Sequence, residues 1–189
     1  MPEEMNIVRS DCENMSKTQV WIGNALLELM EQMDYNQITI KQLTEHAELA
    51  RATFYLNYKS KDEVLSHYID ELYFKFSKQV AELENPTAYT IALSYFSFWK
   101  ANLDFIRLLQ KQNLFSLLLD KYEQWIQDIS EMYSEEQIFH LSFSEPKKNA
   151  FFLVYQSAGL WNMLKHWVNR GAEESPEYLA ALFDEITAK

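Results

Sequence analysis

The stretch ITIKQLTEHAELARATFYLNYKSKDEVL, residues 38–65, decides the fold of this chain. It reads as two short helices joined by a tight turn, followed by the entry into a longer helix. Thr39 and Gln42 make a capping-box pattern, and Ile40, Leu43 and Ala47 have the spacing of a buried face about two turns long. The next helix spans about 50–58. It carries Arg51, Thr53, Tyr55, Asn57 and, just beyond, Lys59 and Lys61, with no acid between Leu49 and Lys61. The whole chain has a formal charge of −11, so a run with three cations and no anion is exceptional in it. A short polar helix ending in lysines suits a DNA major groove and its flanking phosphates.

Outward from this stretch the pattern stays helical. Residues 1–14 are polar and lack periodicity, which predicts a mobile tail. A first helix begins at the Ser16–Gln19 capping pattern. It carries Ile22, Ala25, Leu26, Leu29, Met30 and Met33 on one face and ends around residues 34–36. Ser60 with Glu63 repeats the capping box and opens a helix to about Leu83. Asn85-Pro86 suits a helix start, and helices are expected over 86–100, 102–111 and 113–133. Residues 134–145 read as irregular or a short helical turn. A helix then runs from Ser144–Pro146 to about Asn169. Gly171 stands where a left-handed cap is expected, and Ser175-Pro176 opens the last helix. No strand pattern and no internal repeat is present. The expected fold is all-α: a tail at 1–14, a helix-turn-helix domain at 15–62 and a larger helical domain at 63–189.

Composition narrows the function classes. Only three glycines and four prolines fit long helices. The single cysteine, Cys12, rules out an internal disulfide and fits a reducing compartment. No basic, then apolar, leader opens the sequence and no run of about 18 apolar residues occurs, so the expectation is a soluble, cytoplasmic protein away from membranes. Residues 1–61 hold six Lys/Arg against nine Asp/Glu, and residues 62–189 hold eleven against nineteen. Bulk charge therefore opposes loose association with nucleic acid, and binding must come from a local basic surface. There is no phosphate-binding glycine loop, serine elbow or Cys-x-x-Cys pair, so the chain is not read as an enzyme and no cofactor is expected. His46, His67, His140 and His166 are scattered without metal-ligand spacing, and no metal site is expected.

The segment from Ile22 to Leu65 resembles the DNA-binding domain of the TetR/AcrR family of transcriptional regulators. The most specific pieces are Arg51-Ala52-Thr53-Phe54-Tyr55 and Tyr58-Lys59-Ser60-Lys61-Asp62-Glu63-Val64-Leu65. Phe54 should point inward against Leu43 and Ala47, and Tyr55 outward, where a phenol can bond a phosphate. The resemblance implies that Arg51 and Thr53 face base edges in the first turn of the recognition helix, where arginine can bond guanine and the Thr53 methyl can touch a thymine methyl; Ala52 belongs to the same DNA-binding set. It also implies that Lys61 binds phosphate and that Thr39 and Lys41 touch the DNA backbone; Asn57 and Lys59 complete the expected DNA-binding set. Where the family usually reads Gly-Val-Ser in the turn, this chain reads Glu48-Leu49-Ala50. A side chain at a φ > 0 position costs roughly 1 kcal/mol, and so does a missing N-cap hydroxyl.

Phe151 to Ile186 resembles the C-terminal domain of TetR-type regulators of Firmicutes, in which the last two long helices form a four-helix bundle with a second subunit. This implies a homodimer, with Ala158, Gly159, Asn162, Trp167, Leu179, Leu182 and Phe183 as the candidate interface. Gly159 and Ala158 would allow close helix approach. The aromatic series Tyr95, Phe96, Phe98, Trp99, Phe105, Phe115, Trp125, Phe152, Tyr155 and Trp161 is open to two readings: it fills a helical core, or it lines a pocket for a small apolar or aromatic effector. In the second reading Phe98, Trp99, Phe105, Trp125, Phe152, Tyr155, Gln156 and Trp161 are the ligand residues. The expected function is a DNA-binding transcriptional regulator, a homodimeric repressor released from a pseudo-palindromic double-stranded operator by its effector. The alternative is a co-regulator of the same fold that binds protein or ligand, with weak or lost DNA recognition. The altered turn and the acidic charge motivate it.

Overall fold

The computed structural model describes residues 15–84, 86–132 and 146–188, with side chains except at 127–132, 146–150, 152 and 153. Among the described residues every regular element is a helix, as the sequence predicts. In chain order they are α1 (Lys17–Gln32), a 3-10 turn (Tyr35–Gln37), α2 (Ile40–His46), α3 (Arg51–Asn57), α4 (Lys61–Ala81), α5 (Ala88–Ala101), α6 (Leu103–Lys111), α7 (Phe115–Met132), α8 (Pro146–Asn169) and α9 (Pro176–Thr187). None of these helices is long and apolar enough to cross a membrane. The tail at 1–14, with Cys12, and the expected irregular stretch around 134–145, with His140, lie outside the described residues.

Local chemistry explains where the helices begin. Ser16 and Thr39 form complete capping boxes with Gln19 and Gln42. Ser175 accepts from the Tyr178 N–H, with Pro176 at the first helical position. Two expected starts differ. Thr87 caps α5 rather than Asn85: its hydroxyl accepts from the Thr90 N–H at 3.1 Å, and the Thr90 hydroxyl accepts from the Thr87 N–H at 2.8 Å. At α4, Ser60 Oγ accepts from the Glu63 N–H at 3.2 Å, but the Glu63 carboxylate accepts from the N–H of Lys59, one residue early.

The chain forms two compact units. The first gathers residues up to Phe74 with Leu108–Leu118; the second gathers Lys75–Arg107 with Leu119–Lys189. The core of the first unit is mainly aliphatic: Ile22, Leu26, Met30, Leu43, Val64, Leu65, Ile69 and Leu109 are all buried there. Residues 108–118, which the sequence reading leaves with the larger domain, are bonded into this unit. The buried Gln112 accepts from the Tyr35 N–H at 2.8 Å and donates to the Met33 carbonyl at 2.9 Å and to that of Met30. Lys111 Nζ donates to the Glu31 carbonyl at 2.7 Å, and the Tyr73 hydroxyl to the Leu118 carbonyl at 2.8 Å. One glutamine thus satisfies carbonyls at the end of α1, where a helix has no partners of its own.

The second unit is built on rings. Phe76 packs on Tyr95, Phe98 and Trp125 with centroids 5.4–5.7 Å apart. Tyr122 stacks on Trp125 and on Trp161 at 5.9 and 6.0 Å. Phe96 meets Trp167 edge-on at 6.0 Å. Such pairs contribute about 0.5–1.5 kcal/mol each beyond their area burial. Trp125 Nε1 donates to Ser77 Oγ at 2.6 Å, and the Tyr122 hydroxyl donates to the Ser157 carbonyl at 3.2 Å. Helix α9 lies along α5.

Candidate nucleic-acid interface

Helix α2 ends in a left-handed residue. Glu48 has φ +52°, and the Leu49 N–H reaches back to the Thr44 carbonyl at 2.9 Å. This is the closure that glycine normally makes without a Cβ penalty. The strain expected from the sequence at Glu48 is therefore present. The missing cap is present too: Ala50 offers no side-chain hydrogen bond to the start of α3. What holds α3 is packing. Phe54 is fully buried with Leu43 and Ala47, and Tyr58 is buried at the C-terminal end. The Tyr58 hydroxyl meets His67 Nδ1 at 2.8 Å, tying the end of α3 to α4. Burial, then the charges of Glu63 and Glu71, push the Tyr58 phenol up, so it stays neutral.

With Phe54 and Tyr58 inward, the opposite face of α3 looks out. Arg51, Ala52, Tyr55 and Leu56 are exposed, and so is Lys59, just past the end of the helix. Thr53 and Asn57 are half-buried, and the Asn57 amide donates back to the Thr53 carbonyl at 2.8 Å. Thr39 is exposed with its hydroxyl engaged by Gln42. Lys41 is exposed and 3.8 Å from Glu45; a pair this open to solvent is weak and leaves Lys41 free to exchange it for a phosphate.

Lys61, expected to bind phosphate, is engaged within the chain. Its Nζ donates to the carbonyls of Tyr35 and Ile38, at 2.5 and 2.8 Å, and sits 4.5 Å from the Tyr35 ring centroid. The neighbouring Asp62 accepts from the Tyr35 hydroxyl at 2.6 Å. Burial first, then this bond and the Asp62 charge, push the Tyr35 phenol up. Lys61 and Asp62 together clamp the 3-10 turn to the start of α4. The Tyr35 carbonyl also accepts the Ile38 N–H at 3.1 Å, so the ammonium adds a second bond there and one to the Ile38 carbonyl just past the turn.

In the second unit the expected ligand residues divide. Trp99, Phe105, Trp125, Gln156 and Trp161 are buried, and Phe98 is half-buried; the Phe152 side chain lies outside the described residues. Tyr155 does not join them: it is 61 % exposed on the outer face of α8. The expected dimer residues divide as well. Trp167, Leu179 and Phe183 are buried within the chain, and Gly159 faces the Phe183 ring, where an added Cβ would sit 3.7 Å away. That is an ordinary van der Waals distance, so α8 and α9 meet here within the chain without an approach that only glycine permits. Ala158, Asn162 and Leu182 are exposed, in line with Phe151, Val154 and Tyr155 on α8 and with Tyr178 and Ile186 on α9. Sequence reasoning gave Ala158, Asn162 and Leu182 to the interface but missed Phe151 and Val154 beside them, and it missed Leu56. In each case the available signal was an apolar residue off the face marked by the buried ones.

His46 Nε2 lies 2.7 Å from the Glu28 carboxylate. Among the described residues no group of three His, Cys, Asp or Glu could hold a metal ion.

Residues 22–68 match the family described as bacterial regulatory proteins, tetR family, and residues 84–189 match the transcriptional regulator C-terminal region. The chain is similar to the uncharacterized HTH-type transcriptional regulator YxbF of Bacillus subtilis strain 168, with 20 % identity over 179 residues. That alignment covers 89 % of this chain but 44 % of YxbF, so the chain spans less than half of that relative. Among solved structures, a TetR/AcrR-type transcriptional regulator from Aquifex aeolicus VF5 superposes with a TM-score of 0.62 at 17 % identity, covering 90 % of this chain and 98 % of the other. The regulator FadR of Bacillus subtilis, solved in complex with stearoyl-CoA, gives 0.55 at 18 % identity, covering 88 % and 96 %. At these identities the two structures testify to the fold.

Proposed function

Given that the chain belongs to the tetR family of bacterial transcriptional regulators, we propose that it works as a homodimeric repressor that leaves a pseudo-palindromic operator when a small molecule binds in its second unit. The observation that carries this reading is the outward face of α3, cationic at Arg51, with Lys59 just past its end, and held from behind by Phe54 and Tyr58. Arg51 makes the base-specific contact, bidentate to a guanine. Tyr55, Lys41, Thr39 and Lys59 contact the phosphate backbone, and Ala52 lies against the base edges. The Asn57 amide is engaged within the helix, where it donates to the Thr53 carbonyl. One seven-residue helix reads too few bases for specificity, which is why a second copy is part of the proposal.

The second copy covers the exposed stripe on α8 and α9, with Ala158, Asn162 and Leu182 among its contacts. The effector is apolar or aromatic and enters the ring cluster of the second unit; the acyl-CoA in the FadR structure supports an acyl chain as one such ligand. Helix α4 has residues in both units and is the connection through which the ligand acts. The ligand must prefer the conformation that does not bind DNA, for otherwise it shifts no population.

The test is a selection of genomic fragments with purified protein at near-physiological salt, read by sequencing. The expected outcome is an enriched pseudo-palindrome that disappears with Arg51→Ala, and a dimer by sedimentation that Ala158→Glu converts to monomer. No enrichment from a folded dimer would overturn the repressor reading. It would hand the lead to a co-regulator of the same fold, for which the strained Glu48 turn is the supporting observation.

A further inference from the structure

Leu56 is 86 % exposed, more than any other large apolar side chain among the described residues. It adds nothing to the core. It sits on α3 with Ala52 four residues before it and Tyr55 beside it, so the three share one face. Of the side chains on this outward face, only Arg51 and Tyr55 carry hydrogen-bonding groups; Ala52 and Leu56 present methyls. The amide of Asn57, which could read an adenine, is turned back to the Thr53 carbonyl. The exposed cations Arg51 and Lys59 flank the methyl residues along the chain, and the segment between Leu49 and Lys61 contains no acid.

A methyl patch flanked by cations along the chain fits one surface well. The thymine 5-methyl is the apolar group on the major-groove edge of the bases, and it lies between two rows of phosphates. We propose that Leu56, with Ala52, is a specificity-determining contact that reads thymine methyl groups, so that each operator half-site carries a thymine facing this patch. This rests on the DNA-binding reading above and names what that surface recognises. Leu56 supplies shape and apolar area and no hydrogen bond. Its contact therefore discriminates through the methyl alone.

Replacing thymine by deoxyuridine deletes that methyl and leaves the pairing edge intact. The experiment takes the operator enriched in the selection, places uracil at each thymine in turn, and measures the Kd of the full chain by fluorescence anisotropy. Wild-type protein should lose about four-fold at one or two thymines per half-site, the worth of a buried methyl group. Leu56→Ala should bind the thymine and uracil forms alike at those positions. Leu56 lies outside the core, so this variant should melt as the wild type does. Two results would overturn the inference: uracil tolerated by wild type at every position, or an unchanged uracil penalty in Leu56→Ala. The first, alone, would leave Leu56 to a protein contact. If no DNA is enriched at all, the DNA-binding reading fails and this inference with it. That failure is seen before any uracil is introduced.

Discussion

The first unit is held by directional bonds around a mainly aliphatic core, and the second by a lattice of rings. In the first, Gln112, Lys111, Lys61 and Asp62 each tie one segment to another through a hydrogen bond that works at one geometry only. In the second, Phe76, Tyr95, Phe98, Tyr122, Trp125 and Trp161 touch at centroid distances of 5.4–6.2 Å, with angles from stacked to edge-on. A hydrogen bond fails within a few tenths of an ångström or a few tens of degrees. Ring contacts tolerate several arrangements at similar energy. The difference matches what each unit is proposed to do. A surface that reads base edges needs fixed side chains; a surface that admits a ligand has to repack.

The widest gap should appear on deleting volume. Trp99 is fully buried in the second unit, and Trp99→Ala should destabilise the protein by about 4 kcal/mol in urea or thermal unfolding. Trp161→Phe keeps a ring and most of the volume, and should lower stability by less than about 1.5 kcal/mol. A small effect of Trp99→Ala would mean that this ring lattice already contains space.

In the first unit the opposite rule should hold, with shape kept and bonds removed. Gln112→Met fills about the same volume but leaves the Tyr35 N–H and the Met30 and Met33 carbonyls without their partner. The expected loss is about 2–3 kcal/mol in the same unfolding assay. An equal tolerance of the two conservative swaps, Gln112→Met and Trp161→Phe, would dissolve the contrast between the units.

Lys61 separates a clamp from a DNA-binding group. Lys61→Met removes two hydrogen bonds to backbone carbonyls and should lower stability by about 1–2 kcal/mol. It should weaken all DNA sequences alike while leaving the slope of log K against log salt unchanged. Removing a lysine that neutralises a phosphate would instead make that slope shallower by about 0.9. Lys41→Met provides the reference, since Lys41 is exposed and should show the shallower slope.

The readable part of the structure was its local part. Ser16, Thr39 and Ser175 cap where the sequence predicts, because a cap is decided within four residues. The left-handed Glu48 and Gly171 follow from the same short-range rules. Gln112 was out of reach, since its partners lie 77 to 82 residues away and a glutamine after a helix has no distinctive pattern. The sides of α8 and α9 were out of reach for another reason. Both helices carry apolar residues around most of their circumference, so periodicity does not say which face is covered by the chain itself. Trp167, Leu179 and Phe183 proved internal, while Tyr155 and Leu182 proved external. The bonds of Lys61 to the Tyr35 and Ile38 carbonyls were not legible either, because a lysine's position in the sequence does not tell which carbonyls lie within reach of its ammonium.

The smallest effect tests a place where two local rules are broken side by side. Glu48 holds φ +52° and Ala50 leaves α3 uncapped, three residues from the most specific part of the candidate interface. Glu48→Gly should stabilise the protein by about 1 kcal/mol by removing a Cβ from the left-handed region. Ala50→Ser should add about 1 kcal/mol through a hydroxyl bond to the start of α3. The two sites are neighbours, so their sum is measured in the double variant rather than assumed. Glu48→Gly also deletes an anion near the DNA-facing helix, which Ala50→Ser does not. If DNA affinity rises only in proportion to stability, both variants act by ordering α3. If Glu48→Gly tightens binding further, and the excess fades with salt, Glu48 acts as a charge that restrains the regulator's hold on its operator.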